Sequence, residues 1–453
     1  MFTTLFVAGL LLCAQEEAET PSGDKSPAKV EAGSPAEADS DLAPLVRKLV
    51  RELDAPEKAR RDAAQQKLLE LGVKALDLLP ETTDKTPAEV RMRLDKVRSV
   101  LERTQAENAV ESTTITLAGD DVPLGRVIEE FEKQTGNKLQ DTRSEFQNDD
   151  DDDKAAEPTF KLAFDKTPFW PALDQVLDQA QMTTYPYRTE EGALGLIGRA
   201  SSQLDRQGHS AYVGSFRVAA TQFFARRDLR DPEGQMLQLT LEAAWEPRVQ
   251  PIVIMQPFDA IVATDENGQP LATSVSVSQL EVAPESADAT NVELPIQFQL
   301  PARSVNRIAS LKGKLVAVMP GRVETFRFAN LEKAKKQEKR KASVTVAVDE
   351  MRKNGAIWEV RVRVRFDKAS GALESHRGDW VTNNPVYMED PDKERIGHAG
   401  YHTPNTANAE NEVSVVYLFD LPNGPKGHTL VYRTATAIVS VPIEYELKDL
   451  ELP

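Results

Sequence analysis

Apolar and polar residues follow two different periods along this chain. Near the N-terminus, Leu42, Leu45, Val46, Leu49, Val50 and Leu53 recur at the spacing of one face of an α-helix. Asp54, Pro56 and Glu57 mark the start of a second helix, and Gly72 ends it after Leu68, Leu69 and Leu71. A short apolar segment runs from Val73 to Leu79. Thr86, Pro87 and Glu89 then supply an N-cap, a proline for the first helical position and the return partner of a capping box, ahead of a stripe of Val90, Leu94, Val97 and Leu101. These patterns predict a small helical bundle over residues 42–107.

The C-terminal half switches to a period of two. Leu237, Leu239 and Leu241 alternate with Gln238 and Thr240, as a strand with one buried and one wet face does. Similar segments at Phe216 to Ala220, Val292 to Leu300 and Val323 to Phe328 predict a β-sandwich over 210–330. Ser343 to Val348, Trp358 to Phe366, Glu412 to Leu421, His428 to Ala435 and Ile438 to Leu450 predict a second over 342–453. Between them Leu331 to Lys341 carries six cations and two carboxylates and reads as a helical spacer. The order of segments is the same in both sets, with FRVAA matching VTVAV and LQLTLEAAW matching WEVRVRVRF, so two tandem units of common descent are expected, with Trp245 and Trp358 at equivalent core positions.

A second internal match lies in the middle. Ile115 to Leu139 aligns without gaps on Phe160 to Thr184 at a shift of 45 residues, pairing Leu117 with Leu162, Ala118 with Ala163, Asp120 with Asp165, Pro123 with Pro168 and Gln134 with Gln179. The apolar positions Val127, Ile128 and Phe131 correspond to Ala172, Leu173 and Val176, so each copy reads as strand, proline turn, helix. Tyr185 to Tyr187 and Leu194 to Ile197 read as a closing hairpin. A strand ending in Asp, a step to VPL or TPF and a helix ending near QTGNKL, the whole repeated, resembles the short N-terminal domain of secretins and TonB-dependent receptors. That resemblance covers 113–199, with an acidic insertion at 144–157, and implies a periplasmic contact module without catalytic residues. The helical bundle is similar to HEAT-type helical pairs, and the whole order of segments is similar to secreted multidomain proteins of planctomycete-type bacteria. The fold class expected is multidomain α+β: helical module, duplicated strand–helix domain, two tandem antiparallel β-sandwiches.

Charge narrows the partners. With 72 Asp plus Glu against 55 Lys plus Arg, the chain carries a net −17 over 453 residues, which disfavours nucleic-acid backbones and anionic membrane surfaces unless a local basic patch exists. The apolar run Phe2 to Leu12 is too short to span a bilayer and reads as an export signal over residues 1–14. Its removal after Ala14 would take away Cys13, the single cysteine; lipidation of Cys13 is the alternative. Residues 15–41 hold eight carboxylates, two lysines and no aromatic side chain, which predicts an acidic linker. An extracytoplasmic location follows, and no later segment is apolar enough to cross a membrane.

Sequence signals for chemistry are sparse. His398 and His402 have the i, i+4 spacing of a zinc pair, but Gly397 and Gly400 argue against a helix and no glutamate stands beside either as a base. Asp149, Asp150, Asp151, Asp152 and Asp153 offer hard oxygen ligands, yet without a glycine turn a contiguous run repels itself and reads as a solvated loop. No nucleophile elbow or phosphate loop is present in the sequence, and no catalytic residue or cofactor is assigned. Trp170, Trp245 and Trp358 read as core, and Trp380 as a candidate exposed contact. The leading expectation is a non-catalytic exported protein that contacts envelope or secretion-system proteins. A carbohydrate- or polymer-binding β-sandwich is the alternative, and a hydrolase whose site converges only in three dimensions is the third.

Overall fold

The computed structural model describes residues 35–80, 82, 85–143, 157–185, 192–200, 205–206, 208–231, 234–286, 288–331, 336–341, 344–366, 379–382, 384–404 and 411–453. The expected signal, Cys13 and Asp149 to Asp153 lie outside these residues. The described chain is mostly strand, in several antiparallel sheets, with a few helices.

Helix α1 (Pro35–Glu52) begins inside the stretch expected to be linker, at a proline, whose fixed φ suits a first helical turn. Together with α2 (Lys58–Glu70), a short 3₁₀ turn (Val73–Leu78) and α3 (Ala88–Ala109) it encloses Val46, Leu49, Leu53, Leu68, Leu76, Leu94, Val97 and Leu101. Most residues of the expected stripes meet there, but Leu45 of the first stripe is exposed.

The middle unit repeats its elements at the 45-residue offset. β1 (Thr114–Pro123) leads to α4 (Leu124–Thr135) and β2 (Lys138–Asp141); β3 (Thr159–Pro168) leads to α5 (Phe169–Ala180) and β4 (Met182–Tyr185), followed by β5 (Ala193–Gly198). Proline ends each of the strands β1 and β3, because it supplies no N–H to continue a ladder and opens the next helix with a fitting φ. β1 and β3 pair antiparallel with Ala118 opposite Ala163, its own counterpart at the offset, so a local two-fold axis passes through that pair. Val127, Ile128 and Phe131 on α4 and Ala172, Leu173 and Val176 on α5 enter one core. β5 lies between β2, which is parallel to it, and β4, which is antiparallel.

The β-rich half departs from the expected tandem arrangement. β6 (Ser210–Val213), β7 (Phe216–Arg226), β8 (Met236–Trp245), β9 (Val253–Pro257), β10 (Val262–Asp265), β11 (Pro270–Leu271), β12 (Gln279–Val282) and β13 (Asn291–Phe298) precede a 23-residue strand, β14 (Arg307–Ala329). β15 (Gln337–Lys341), β16 (Val344–Asn354), β17 (Ile357–Phe366), helix α6 (Asp379–Thr382), β18 (Val386–Glu389), β19 (Arg395–Gly397), β20 (Gly400–His402) and β21 (Glu412–Asp420) precede a second 23-residue strand, β22 (Thr429–Glu451). β14 and β22 pair along their whole length about Val318 and Ser440. They form the middle of one eight-stranded sheet, which the β13-β8-β7-β6 sheet and the β15-β16-β17-β21-β20 sheet both face.

Each long strand therefore serves two cores. Leu311, Leu315 and Ala317 of β14 meet Leu239, Leu241, Ile296 and Phe298, while Phe326 and Phe328 of the same strand meet Val346, Val362 and Tyr417. β22 does the reverse, giving Leu430 and Tyr432 to the second core and Ile443, Tyr445 and Leu447 to the first. A boundary at 331–341 between independent units is thus corrected: residues 439–450 complete the core built from 216–319. The expected helical spacer is also corrected. Gln337–Lys341 is the edge strand β15, and Lys339 and Lys341 lie over the rings of Phe328 and Phe326, at 5.6 and 5.8 Å; Lys341 also pairs with Glu324 at 3.0 Å, while Lys339 is an exposed cation of the kind a sheet edge favours.

Candidate functional site: a buried charged joint

The most concentrated buried charge sits where the middle unit meets β7 and β8. Asp174 faces inward from α5 in phase with Leu173 and Leu177, and is buried. Arg217 stands between the core residues Phe216 and Val218 and is equally buried. Its Nη1 donates to Asp174 Oδ1 at 2.6 Å and its Nη2 to Glu242 Oε1 at 3.0 Å. The Arg217 guanidinium also lies 4.2 Å from the centre of the Trp170 ring, whose indole N–H donates to the Ser215 carbonyl at 2.9 Å. Tyr212 donates its hydroxyl to Asp174 Oδ2 at 2.8 Å, and Arg206 reaches both Thr183 and Glu242.

Glu242 and Arg217 hold each other in their charged forms. Burial acts to raise the Glu242 carboxyl, but the guanidinium groups of Arg217 and Arg206 outweigh it and hold that carboxyl below the usual range. Burial acts against the Arg217 charge, and Asp174 and Glu242 overcome it. The Tyr212 phenol is pushed up, first by burial and then by the Asp174 charge. Arg206 is pulled down by burial and by the like charge of Arg217.

A second knot adjoins the first. Glu246, fully buried just after β8, accepts from the Thr113 N–H at 2.9 Å, the Thr113 hydroxyl at 2.8 Å, the Asn137 amide at 2.9 Å and Arg248 Nε at 2.8 Å. Arg248 donates onward to the carbonyls of Ala109 and Glu111, where α3 ends, and its own N–H donates to Asn137 Oδ1 at 3.0 Å. Gly214 makes this approach possible. Its φ of +57° is left-handed, and a Cβ there would stand 2.2 Å from the Val110 carbonyl oxygen. The next residue, Ser215, donates its N–H to that same oxygen at 2.8 Å.

Chemically, this arrangement fixes three parts of the chain against one another: the end of α3, the middle unit and the β7–β8 hairpin. The carboxylates of Asp174, Glu242 and Glu246 all point at donors from another segment.

The residues singled out in the sequence lie elsewhere. His398 follows β19 and His402 ends β20, on separate strands rather than one helix. The His398 ring packs against Tyr417, Tyr401 and Phe419, at 5.4, 6.1 and 6.5 Å, and His402 is exposed. Among the described residues no group of three or more His, Cys, Asp or Glu could hold a metal ion. The backbone of Trp380 is in α6, and its side chain is outside what is described. Trp170 and Trp245 are core, as expected, but Trp358 is not the counterpart of Trp245. Trp245 ends β8 where Phe366 ends β17, and Trp358, half-buried beneath Lys353, is near the start of β17. The two tryptophans stand at opposite ends of their strands, which lie in different sheets, so they are not equivalent positions.

The sequence patterns do not single out Asp174, Arg217 or Glu246, each of which stands among apolar neighbours. A charge in the buried phase of an amphipathic pattern, Asp174 between Leu173 and Val176, was the available signal. No known protein family matches this chain, and no curated protein matches it. Among the described residues no helix is long and apolar enough to cross a membrane.

Proposed function

We propose that this is an extracytoplasmic, non-catalytic protein that holds contact surfaces in a fixed relative orientation for envelope or secretion-system proteins. The observation that carries the reading is where the chain places its buried charges: Asp174 meets Arg217, and Glu246 meets Thr113 and Asn137, across the joints between units, with Glu242 beside Arg217. Joints of this kind suit a brace, since a charge pair removed from water must be met in one geometry and resists sliding. The resemblance of residues 113–199 to secretin and TonB short N-terminal domains gives the contact surface a precedent, and the apolar run Phe2 to Leu12 gives the route out of the cytoplasm. In this reading the middle unit is a duplicated strand–helix domain, the helical module is HEAT-like, and the β half is a duplicated sandwich whose copies share β14 and β22.

The test is chemical cross-linking in the native host followed by co-purification from envelope fractions. Recovery of the same envelope proteins with the native chain, and their loss when residues 113–199 are deleted in a chain that still folds, is expected. A chain that captures no protein but retains a neutral polysaccharide would favour the polymer-binding alternative, and turnover of a substrate would overturn the non-catalytic reading.

A further inference from the structure

The connection from β11 to β12 runs beside β13 and then leaves it. The Ser274 N–H donates to the Gln297 carbonyl at 2.8 Å and the Gln299 N–H to the Ala272 carbonyl at 3.0 Å, with Thr273 opposite Phe298 between them. The odd-numbered residues of β13 therefore turn their backbone groups toward this connection. The even set turns to β8, as the Thr290 carbonyl just before β13 does in accepting the Trp245 N–H at 2.9 Å. After Gln297 the next position facing the connection is Pro295, which has no N–H to offer. Pairing stops there.

A groove of about 600 Å³ opens where the connection departs. Val275, Ser276 and Val277 line one side, Pro295 and Gln297 the other, and Phe258 and Leu280 add apolar surface. The backbone N–H and carbonyl groups of 275–277 have no hydrogen-bond partner among the described residues, nor have the outward backbone groups of Glu293 and Pro295. Val277 is 57 % exposed. No lysine, arginine or histidine lines the groove or stands within two residues of its lining, whereas Asp259, Glu281 and Glu293 do. Glu281 accepts from the Gln279 amide, but Asp259 and Glu293 are exposed and face no cation among the described residues.

We propose that this groove takes an extended segment of a partner protein, neutral in its middle and flanked by lysine or arginine, as an added strand beside β13. Strand addition draws its affinity from main-chain hydrogen bonds and its selectivity from sites for alternate side chains. An extended peptide offers N–H and carbonyl groups along both edges, which suits the unpaired backbone of 275–277 on one side and that of Glu293 and Pro295 on the other. Only one donor is lost, to the proline. The unpaired carboxylates of Asp259 and Glu293 favour cations on the incoming segment. A sugar would need an exposed ring to stack on, and the one aromatic residue of the lining, Phe258, is buried. A second copy docked edge to edge would set Glu293 near its own counterpart in a chain already at net −17. The groove lies outside residues 113–199, so the inference is independent of the contacts proposed for them.

The test is fluorescence anisotropy of the full chain with the labelled peptide KVTVTVK, with EVTVTVE, and with KVTVTVK methylated at its valine amides. Saturable binding of the first is expected, and binding of each of the others about tenfold weaker or less. Hydrogen exchange at 275–277 should slow about tenfold or more when KVTVTVK is bound. Asp259→Lys should narrow or reverse the preference for lysine ends at an unchanged melting temperature, since that side chain is exposed. Absence of saturable binding, indifference to the end charges or to amide methylation, or binding that leaves exchange at 275–277 unchanged would each overturn the proposal. Protection of 275–277 that rises with protein concentration in the absence of peptide would assign the groove to a second copy and overturn it too.

Discussion

The chain joins its parts in two ways, and the two joints differ in kind. Between the middle unit and the β half, a few buried side chains carry the connection: Asp174 and Arg217 at 2.6 Å, with Glu242 and Trp170 around them. Between the two β cores, two 23-residue strands carry it, paired from Arg307 opposite Glu451 to Ala329 opposite Thr429 with register shifts between Pro320 and Val323. The first joint concentrates its stability in charges that were costly to bury and are only worth keeping as a set. The second spreads it over many backbone hydrogen bonds of about 1 kcal/mol each and over two apolar cores. One substitution should therefore break the first joint and leave the second intact.

Arg217→Met gives the largest expected effect. It leaves the Asp174 carboxylate buried without its cation, which should cost about 3–5 kcal/mol in a denaturant titration. Hydrogen exchange should then quicken in 114–198 and in the β7–β8 hairpin, while the amides of 307–329 and 429–451 facing the second core stay protected. Restoring part of the loss by adding Asp174→Leu would show that the unpaired charge caused it. A loss below about 1 kcal/mol, or uniform loss of protection, would erase the distinction between the two joints.

Gly214→Ala comes next. It forces a Cβ against the Val110 carbonyl at a left-handed φ, and should cost about 2–3 kcal/mol. Gly268→Ala, with a φ of +75° and nothing within 4 Å of its Cβ, isolates the backbone component and should cost about 1 kcal/mol. Equal losses in the two variants would mean that the close approach of Val110 contributes nothing.

How much of this was legible beforehand depends on which joint is asked about. The helical stripes, the 45-residue match and the alternation in β8 and β17 are periodic, and periodicity is visible residue by residue. The shared strands are not. Nothing local tells that Ile443, Tyr445 and Leu447 cross to the core of Leu239 and Phe298 rather than remain with Val362, because strand exchange between similar cores leaves the alternation unchanged. The charged joint fell between these cases. Its residues stand out of phase with their apolar surroundings, yet pairing across 43 residues of chain, as between Asp174 and Arg217, carries no sequence period.

The pH dependence sharpens the account of the charged joint by a smaller amount. Glu242 has its carboxyl held below its ordinary value of 4.5 in the folded chain. Such a group contributes stability that is present above the unfolded value and is lost as pH falls through the folded one. Stability should therefore decline on acidification from about pH 4.5 downward. Glu242→Gln should be less stable at neutral pH and should show a shallower decline in that window. Parallel curves for the variant and the native chain would remove Glu242 from the joint's electrostatics.

The smallest stability effect is expected at the open edge of the second core. Lys339 on β15 lies over the Phe328 ring with its ammonium in solvent, where a cation–ring contact is weak, so Lys339→Thr should change stability by no more than about 0.5 kcal/mol. Its consequence should appear in association instead. β15 is the terminal strand of its sheet among the described residues, and a cation there opposes pairing with a second chain. Threonine keeps the strand propensity while removing the charge, so light scattering should show more self-association at high protein concentration with an unchanged melting temperature. A large loss of stability would instead mean that Lys339 holds β15 onto Phe328, and the edge would then be secured by the same kind of concentrated side-chain contact as the charged joint.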